Sequence, residues 1–88
     1  MRTVRLAFPC FALSLTAPEE VLELVDLFYP YSREDAASVD PDLRYEVRHE
    51  RRRYVLVTST SASEVLGSPL EVAFSLEAKI ESALIDRA

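Results

Sequence analysis

An α+β domain, with two helices on one face of a small, mostly antiparallel sheet of about three strands in the order β-α-β-β-α, is what this sequence predicts. Three observations lead there. Short runs near residues 4–8, 43–48 and 54–58 alternate apolar and polar side chains or stay apolar throughout, as strands do. Two longer stretches, each opened by a proline, repeat apolar residues at spacings of three and four, as amphipathic helices do. At 88 residues the chain suits a single domain with one core.

Val4, Leu6 and Phe8 alternate with Thr3, Arg5 and Ala7, and Phe11, Leu13 and Leu15 alternate again with the parity reversed at Pro9-Cys10. A strand with a bulge or kink at the proline accounts for both halves. The same stretch has a basic start and an apolar middle, as a secretory signal has. Pro9 would break the helical core of such a signal, and no Ala-x-Ala cleavage site follows, so the strand is preferred.

Thr16-Ala17-Pro18-Glu19 has the form of a capping box for a helix over residues 17–29. Its inner stripe is Val21, Leu24, Val25 and Phe28, with Leu22, Leu27 and Tyr29 outside the main line. Pro30 ends it. Residues 32–41 are polar and close on an Asp-Pro turn. Leu43, Tyr45 and Val47 then face the core while Arg44, Glu46 and Arg48 face water. His49 to Arg53 form a charged hairpin connection into Tyr54–Thr58, which is apolar on both faces and therefore belongs inside the sheet. After a polar exit, Ser68-Pro69-Leu70-Glu71 repeats the capping device. The final helix turns Val72, Leu76, Ile80, Ala83 and Leu84 inward, with Phe74, Ala78 and Ile85 beside that face and Glu77, Lys79 and Glu81 pointing away.

Composition excludes more than it identifies. The chain is 49% hydrophobic and 28% charged, ordinary for a folded domain. Its net charge of −5 argues against nucleic acid as a partner. One cysteine, Cys10, forms no internal disulfide, so the chain has no secreted disulfide framework. No apolar run is long enough to span a membrane. One glycine, Gly67, leaves no glycine-rich phosphate loop. His49 has no His or Cys cluster to join as a metal ligand. Cys10, between Pro9 and Phe11, reads as an inert buried thiol. The carboxylates Glu19, Glu20, Glu23 and Asp26 share one exposed environment, whereas acid–base catalysis needs two different ones. No catalytic residue, cofactor or metal is therefore assigned.

Two surfaces remain as interaction candidates. Arg44, Arg48, Arg51, Arg52 and Arg53, interleaved with Tyr45 and Tyr54, could contact phosphate, RNA or an acidic protein surface. Glu46 and Glu50 dilute that charge, and a solvated hairpin tip is the ordinary alternative. Phe74 and Ile85, outside the inner face of the last helix, predict an exposed apolar patch, and with it a homodimer that places this helix in the interface.

A strand, a capped helix ending LFYPY, a strand DLRYEV, a partner strand RYVLVTS and the helix SPLEVAFSLEAKIESAL resemble, in order and hydrophobic pattern, the small N-terminal domain that precedes the ATP-binding domain of HPr kinase-related proteins. The likeness spans residues 4–88. It implies a cytoplasmic, accessory, non-catalytic module that contacts its own kinase domain or a second copy of itself, either excised from a longer kinase or free-standing. No P-loop lies in this sequence, so no catalytic residue of that family is carried over. The alternative is a small free-standing module that binds an anionic ligand or nucleic acid through the arginine hairpin.

Overall fold

Alternation along the first strands decides the layout. In the computed structural model, which describes residues 1–8, 11–29, 33–34, 42–59 and 63–86, Val4 and Leu6 of β1 (Arg2–Ala7) and Leu13, Leu15 and Ala17 of β2 (Ala12–Ala17) are buried on one common face. The single bulged strand expected across Pro9-Cys10 is instead two strands of an antiparallel hairpin, with Val4 opposite Leu15 and Leu6 opposite Leu13. A reversal of direction restores the side-chain parity as well as a bulge does. The Phe8 N–H donates to the Phe11 carbonyl at 2.9 Å and continues the ladder to its end. Cys10 itself lies outside the described residues.

Helix α1 (Glu19–Phe28) starts two residues later than expected. Pro18 is its N-cap, in extended geometry, and its carbonyl accepts from Val21 and Leu22. Thr16 does not cap it, because Thr16 belongs to β2 and its hydroxyl pairs with Thr3 across the hairpin at 2.8 Å. Val21, Leu22 and Val25 are buried, Leu22 to 1% exposure, while Leu24 and Phe28 are half-buried. Leu22, expected outside the main stripe, is core.

Four further strands extend the sheet, the two shortest of them unforeseen. β3 (Arg33–Glu34) pairs antiparallel with β1, in a stretch that read as polar connection. β4 (Leu43–Glu50) lies parallel to β2. Parallel neighbours need a crossover, and α1 with the chain through β3 supplies it. Ala12 and Asp42 fix that junction twice: Ala12 N–H donates to the Asp42 carboxylate at 2.8 Å, and Asp42 N–H to the Ala12 carbonyl at 2.9 Å. β5 (Arg53–Thr58) pairs antiparallel with β4, and β6 (Glu64–Leu66) pairs antiparallel with β5. The order across the sheet is β3-β1-β2-β4-β5-β6. The α+β class and the two helices are as expected. The sheet is mixed and larger than the three strands foreseen.

Helix α2 (Pro69–Asp86) begins on the anticipated device. The Glu71 N–H donates to the Ser68 hydroxyl at 3.2 Å, and the Glu71 carboxylate accepts from the Gly67 N–H at 2.7 Å, one residue further back than in the usual reciprocal box. Val72, Leu76 and Ile80 are buried against Leu13, Leu15, Tyr45, Val47 and Leu56 in the same cluster that holds Val21, Leu22 and Val25. Both helices therefore cover the same sheet face, side by side. Burying the ten largest fully enclosed side chains stabilises the layer pair by roughly 1.5–3 kcal/mol each before chain entropy is set against it. Glu64 of β6 accepts from Ser75 and from Lys79, each at 3.0 Å, tying the edge strand to α2. Lys79, expected to point away, is held in this contact.

Candidate interaction surfaces

The arginines and the apolar residues singled out from sequence fall on two opposite sides of the molecule. Arg48 and Arg53 stand on the sheet face that carries no helix, with Arg51 and Arg52 in the turn at its end. Phe74 and Ile85 stand on the far side, on the outer surface of α2. The structure does not bring them into one site.

On the sheet side, strand parity sets the composition. Leu43, Tyr45, Val47 and His49 of β4 share the helix-covered side with Tyr54, Leu56 and Thr58 of β5. Arg44, Glu46, Arg48 and Glu50 stand on the other side with Arg53, Val55 and Val57. Among the described residues no helix or strand packs over this second face. Arg48 Nε donates to Glu46 Oε1 at 2.9 Å, a contact that holds the Glu46 carboxyl below the usual carboxylate range. The tyrosines that interleave with the arginines in the sequence are absent from this face. Tyr45 and Tyr54 are buried on the helix side. Burial, with the Glu20 carboxylate as a second cause, raises the Tyr54 hydroxyl above its ordinary pKa. His49 is exposed but ordered, stacked on Tyr54 with ring centroids 4.4 Å apart and planes 5° from parallel.

Arg51 and Arg52 have φ of 47° and 67°. Glu50 pairs with Arg53 across them, so this is a two-residue hairpin loop in which both central residues adopt the left-handed conformation. Asn-Gly is the ordinary occupant, because a Cβ is strained there.

On the helix side, Phe74, Ala78, Glu81 and Ile85 recur at steps of four, three and four along one exposed line of α2, and exposed Leu70 precedes Phe74 by one turn. Phe74 is 54% exposed and Ile85 75%. Phe74 meets Phe28 of α1 with ring centroids 5.8 Å apart, and the neighbouring Leu27 is 75% exposed. Further along, Tyr29 donates its hydroxyl to Glu81 at 3.2 Å. Burial first, then the Glu81 charge and hydrogen bond, push the Tyr29 hydroxyl up to about 12.

The sequence is matched by no family model, no curated protein and no solved structure. Function is therefore argued from these two surfaces. Among the described residues no three His, Cys, Asp or Glu side chains gather as metal ligands, and no helix is long and apolar enough to cross a membrane. Two contributors were not foreseen from the sequence. Leu70 extends the outer line of α2, and its position one turn before Phe74 was the available signal. Val65 joins Val55 and Val57 only through β6, which three residues of alternation could not announce.

Proposed function

We propose that this chain is a non-catalytic accessory or protein-interaction domain that pairs with a second copy of itself through the outer line of α2. The observation that carries it is the exposure of Leu70, Phe74 and Ile85 on a helix whose opposite side already fills the core. Apolar side chains in such a row mark a partner's footprint. A two-fold axis crossing α2 near residues 79–80 brings Phe74 against the partner's Ile85. Ala78, small and close to the crossing, lets the two helices approach. Each copy carries a charge of −5, so their repulsion opposes pairing and added salt relieves it.

The resemblance to the N-terminal module of HPr kinase-related proteins adds a second partner for the same surface, a kinase domain. An accessory role of that kind requires no nucleotide site, and the melting temperature of the isolated chain then stays unchanged with Mg·ATP. The rival reading, nucleic-acid binding at the arginine hairpin, loses its stacking platform with Tyr45 and Tyr54 buried on the other face.

Light scattering over a micromolar concentration series tests the pairing. A dimer that Phe74→Asp converts to a folded monomer supports it. A wild-type chain that stays monomeric throughout, with and without added salt, contradicts it.

A further inference from the structure

The uncovered sheet face takes no part in that pairing, and its chemistry is different. Along β5 this face carries Arg53, Val55 and Val57, with Ser59 just past the strand end, where its N–H donates to the Arg44 carbonyl at 3.2 Å. Val65 of β6 stands directly beside Val55, and Arg48 of β4 stands on its other side. The valines thus form an apolar strip with a cationic group at each end: Arg51 and Arg53 by the turn, Arg44 by Ser59. From the level of Arg53 to that of Ser59 the strand rises about 20 Å, at about 3.3 Å per residue.

Both ends are concave. A groove of about 850 Å³ is lined by Glu50, Arg51, Arg53, Val55 and Val65. A smaller one of about 300 Å³ includes Arg44 and Val57 in its walls. Among the described residues no ion pair engages Arg44, Arg51, Arg52 or Arg53. Arg44, Arg48 and Arg53, with Arg51 and Arg52 in the turn, outnumber Glu46 and Glu50 here. The acidic residues of α1 and α2 lie on the other side of the sheet, so the face is locally basic on an acidic protein. The turn adds a further sign. Two arginines occupy left-handed positions that favour Asn and Gly, and one of them, Arg51, lines the groove, at the expense of backbone strain.

We propose that this face binds an extended acidic segment of another polypeptide, with two carboxylates about 20 Å apart and aliphatic side chains between them. Carboxylates match the fork of the arginine head groups. Aliphatic side chains at alternate positions of an extended segment match the valine strip, which phosphate or sugar would leave unfilled. A single-stranded nucleic acid would need aromatic rings to stack upon, and the described strands present none on this face. This inference goes beyond the pairing through α2 and stands or falls separately from it.

The test uses fluorescence anisotropy with a short labelled peptide in which glutamates flank alternating valines, titrated with the intact chain. Binding at low salt is expected, absent for the same peptide with glutamine in place of glutamate. Arg53→Gln and Arg44→Gln each weaken it about five-fold, the upper range for one exposed ion pair. Arg2→Gln, the same change of net charge on the helix-covered side, leaves it unaltered. Phe74→Asp also leaves it unaltered, which separates this face from the α2 surface. Circular dichroism melts confirm that each variant folds. Absence of binding by the glutamate peptide overturns the proposal. So does tighter binding of an oligouridylate, or of phosphatidylserine vesicles, than of the peptide. Equal weakening by Arg2→Gln and Arg53→Gln overturns it as well, because only overall charge would then matter.

Discussion

Replacing Arg51-Arg52 by Asn-Gly should stabilise this protein while weakening its basic face. Both arginines sit at positive φ, 47° and 67°. A left-handed residue bearing a Cβ is disfavoured by roughly 1–2 kcal/mol, and Asn relieves part of that. Glycine relieves all of it, but gives back about 0.5–1 kcal/mol through its freer unfolded chain. The net gain expected for the double variant is about 1–2 kcal/mol. For a domain of this size that corresponds to a rise in melting temperature of roughly 5–15 °C. Thermal unfolding by circular dichroism measures it. Arg51→Ala with Arg52→Ala is the control: it removes the same charges but retains the strained Cβ atoms, and should shift the melt far less. If the alanine pair stabilises as much as Asn-Gly, repulsion among neighbouring arginines explains the effect and the strain argument is refuted. If Asn-Gly leaves the melt unchanged or lowers it, the turn is not strained as its dihedral angles imply.

Three other outcomes check the packing account. Leu22→Ala should destabilise by about 2–5 kcal/mol in denaturant unfolding, whereas Leu27→Ala should stay within about 0.5 kcal/mol, because only Leu22 is enclosed. Ser68→Ala should lose about 1 kcal/mol as α2 loses its cap, and Ser68→Gly only a few tenths; equal losses would contradict the capping contact. Tyr29, whose hydroxyl is pushed up to about 12, stays neutral in the folded protein after an unfolded tyrosine has ionised near pH 10. Its folded pKa is the higher one, so below pH 10 it adds no pH dependence, and stability falls as pH rises from about 10 toward 12. Tyr29→Phe should flatten that alkaline loss; an unchanged profile would mean that Tyr29 is not its source.

Legibility of the fold tracked element length and the number of independent signals. β4 was readable because Leu43, Tyr45 and Val47 alternate with polar neighbours, and β5 because Tyr54 to Val57 form an apolar run bounded by charged and polar residues. α2 was readable because Ser68, Pro69 and Glu71 mark its start and five inward residues follow at helical spacing. The first hairpin was misread as one strand, since a bulge and a reversal leave the same parity and Pro9-Cys10 is not the Asn-Gly pair that announces a tight turn. β3 and β6, of two and three residues, are too short for any period to show. α1 was misjudged in two respects: Thr16 looked like a cap but is held in β2 by its partner Thr3, and Leu22 rather than Leu24 enters the core. At the candidate surfaces, parity did show that Arg44 and Arg48 share one side. It also placed Tyr45 opposite them, a consequence that their interleaving in the sequence obscured. That both helices cover the same face depends on the crossover between β2 and β4, which no local pattern reveals.

Cross-linking at the proposed helix crossing tests the central claim most directly. With Cys10 replaced by serine, a single cysteine is introduced either as Ala78→Cys on the outer line of α2 or as Val57→Cys on the uncovered sheet face. Under mild oxidation at micromolar concentration, pairing through α2 predicts a covalent dimer for the Ala78→Cys chain that Phe74→Asp abolishes, and little for the Val57→Cys chain. A covalent dimer formed readily through Val57→Cys but not through Ala78→Cys would contradict it.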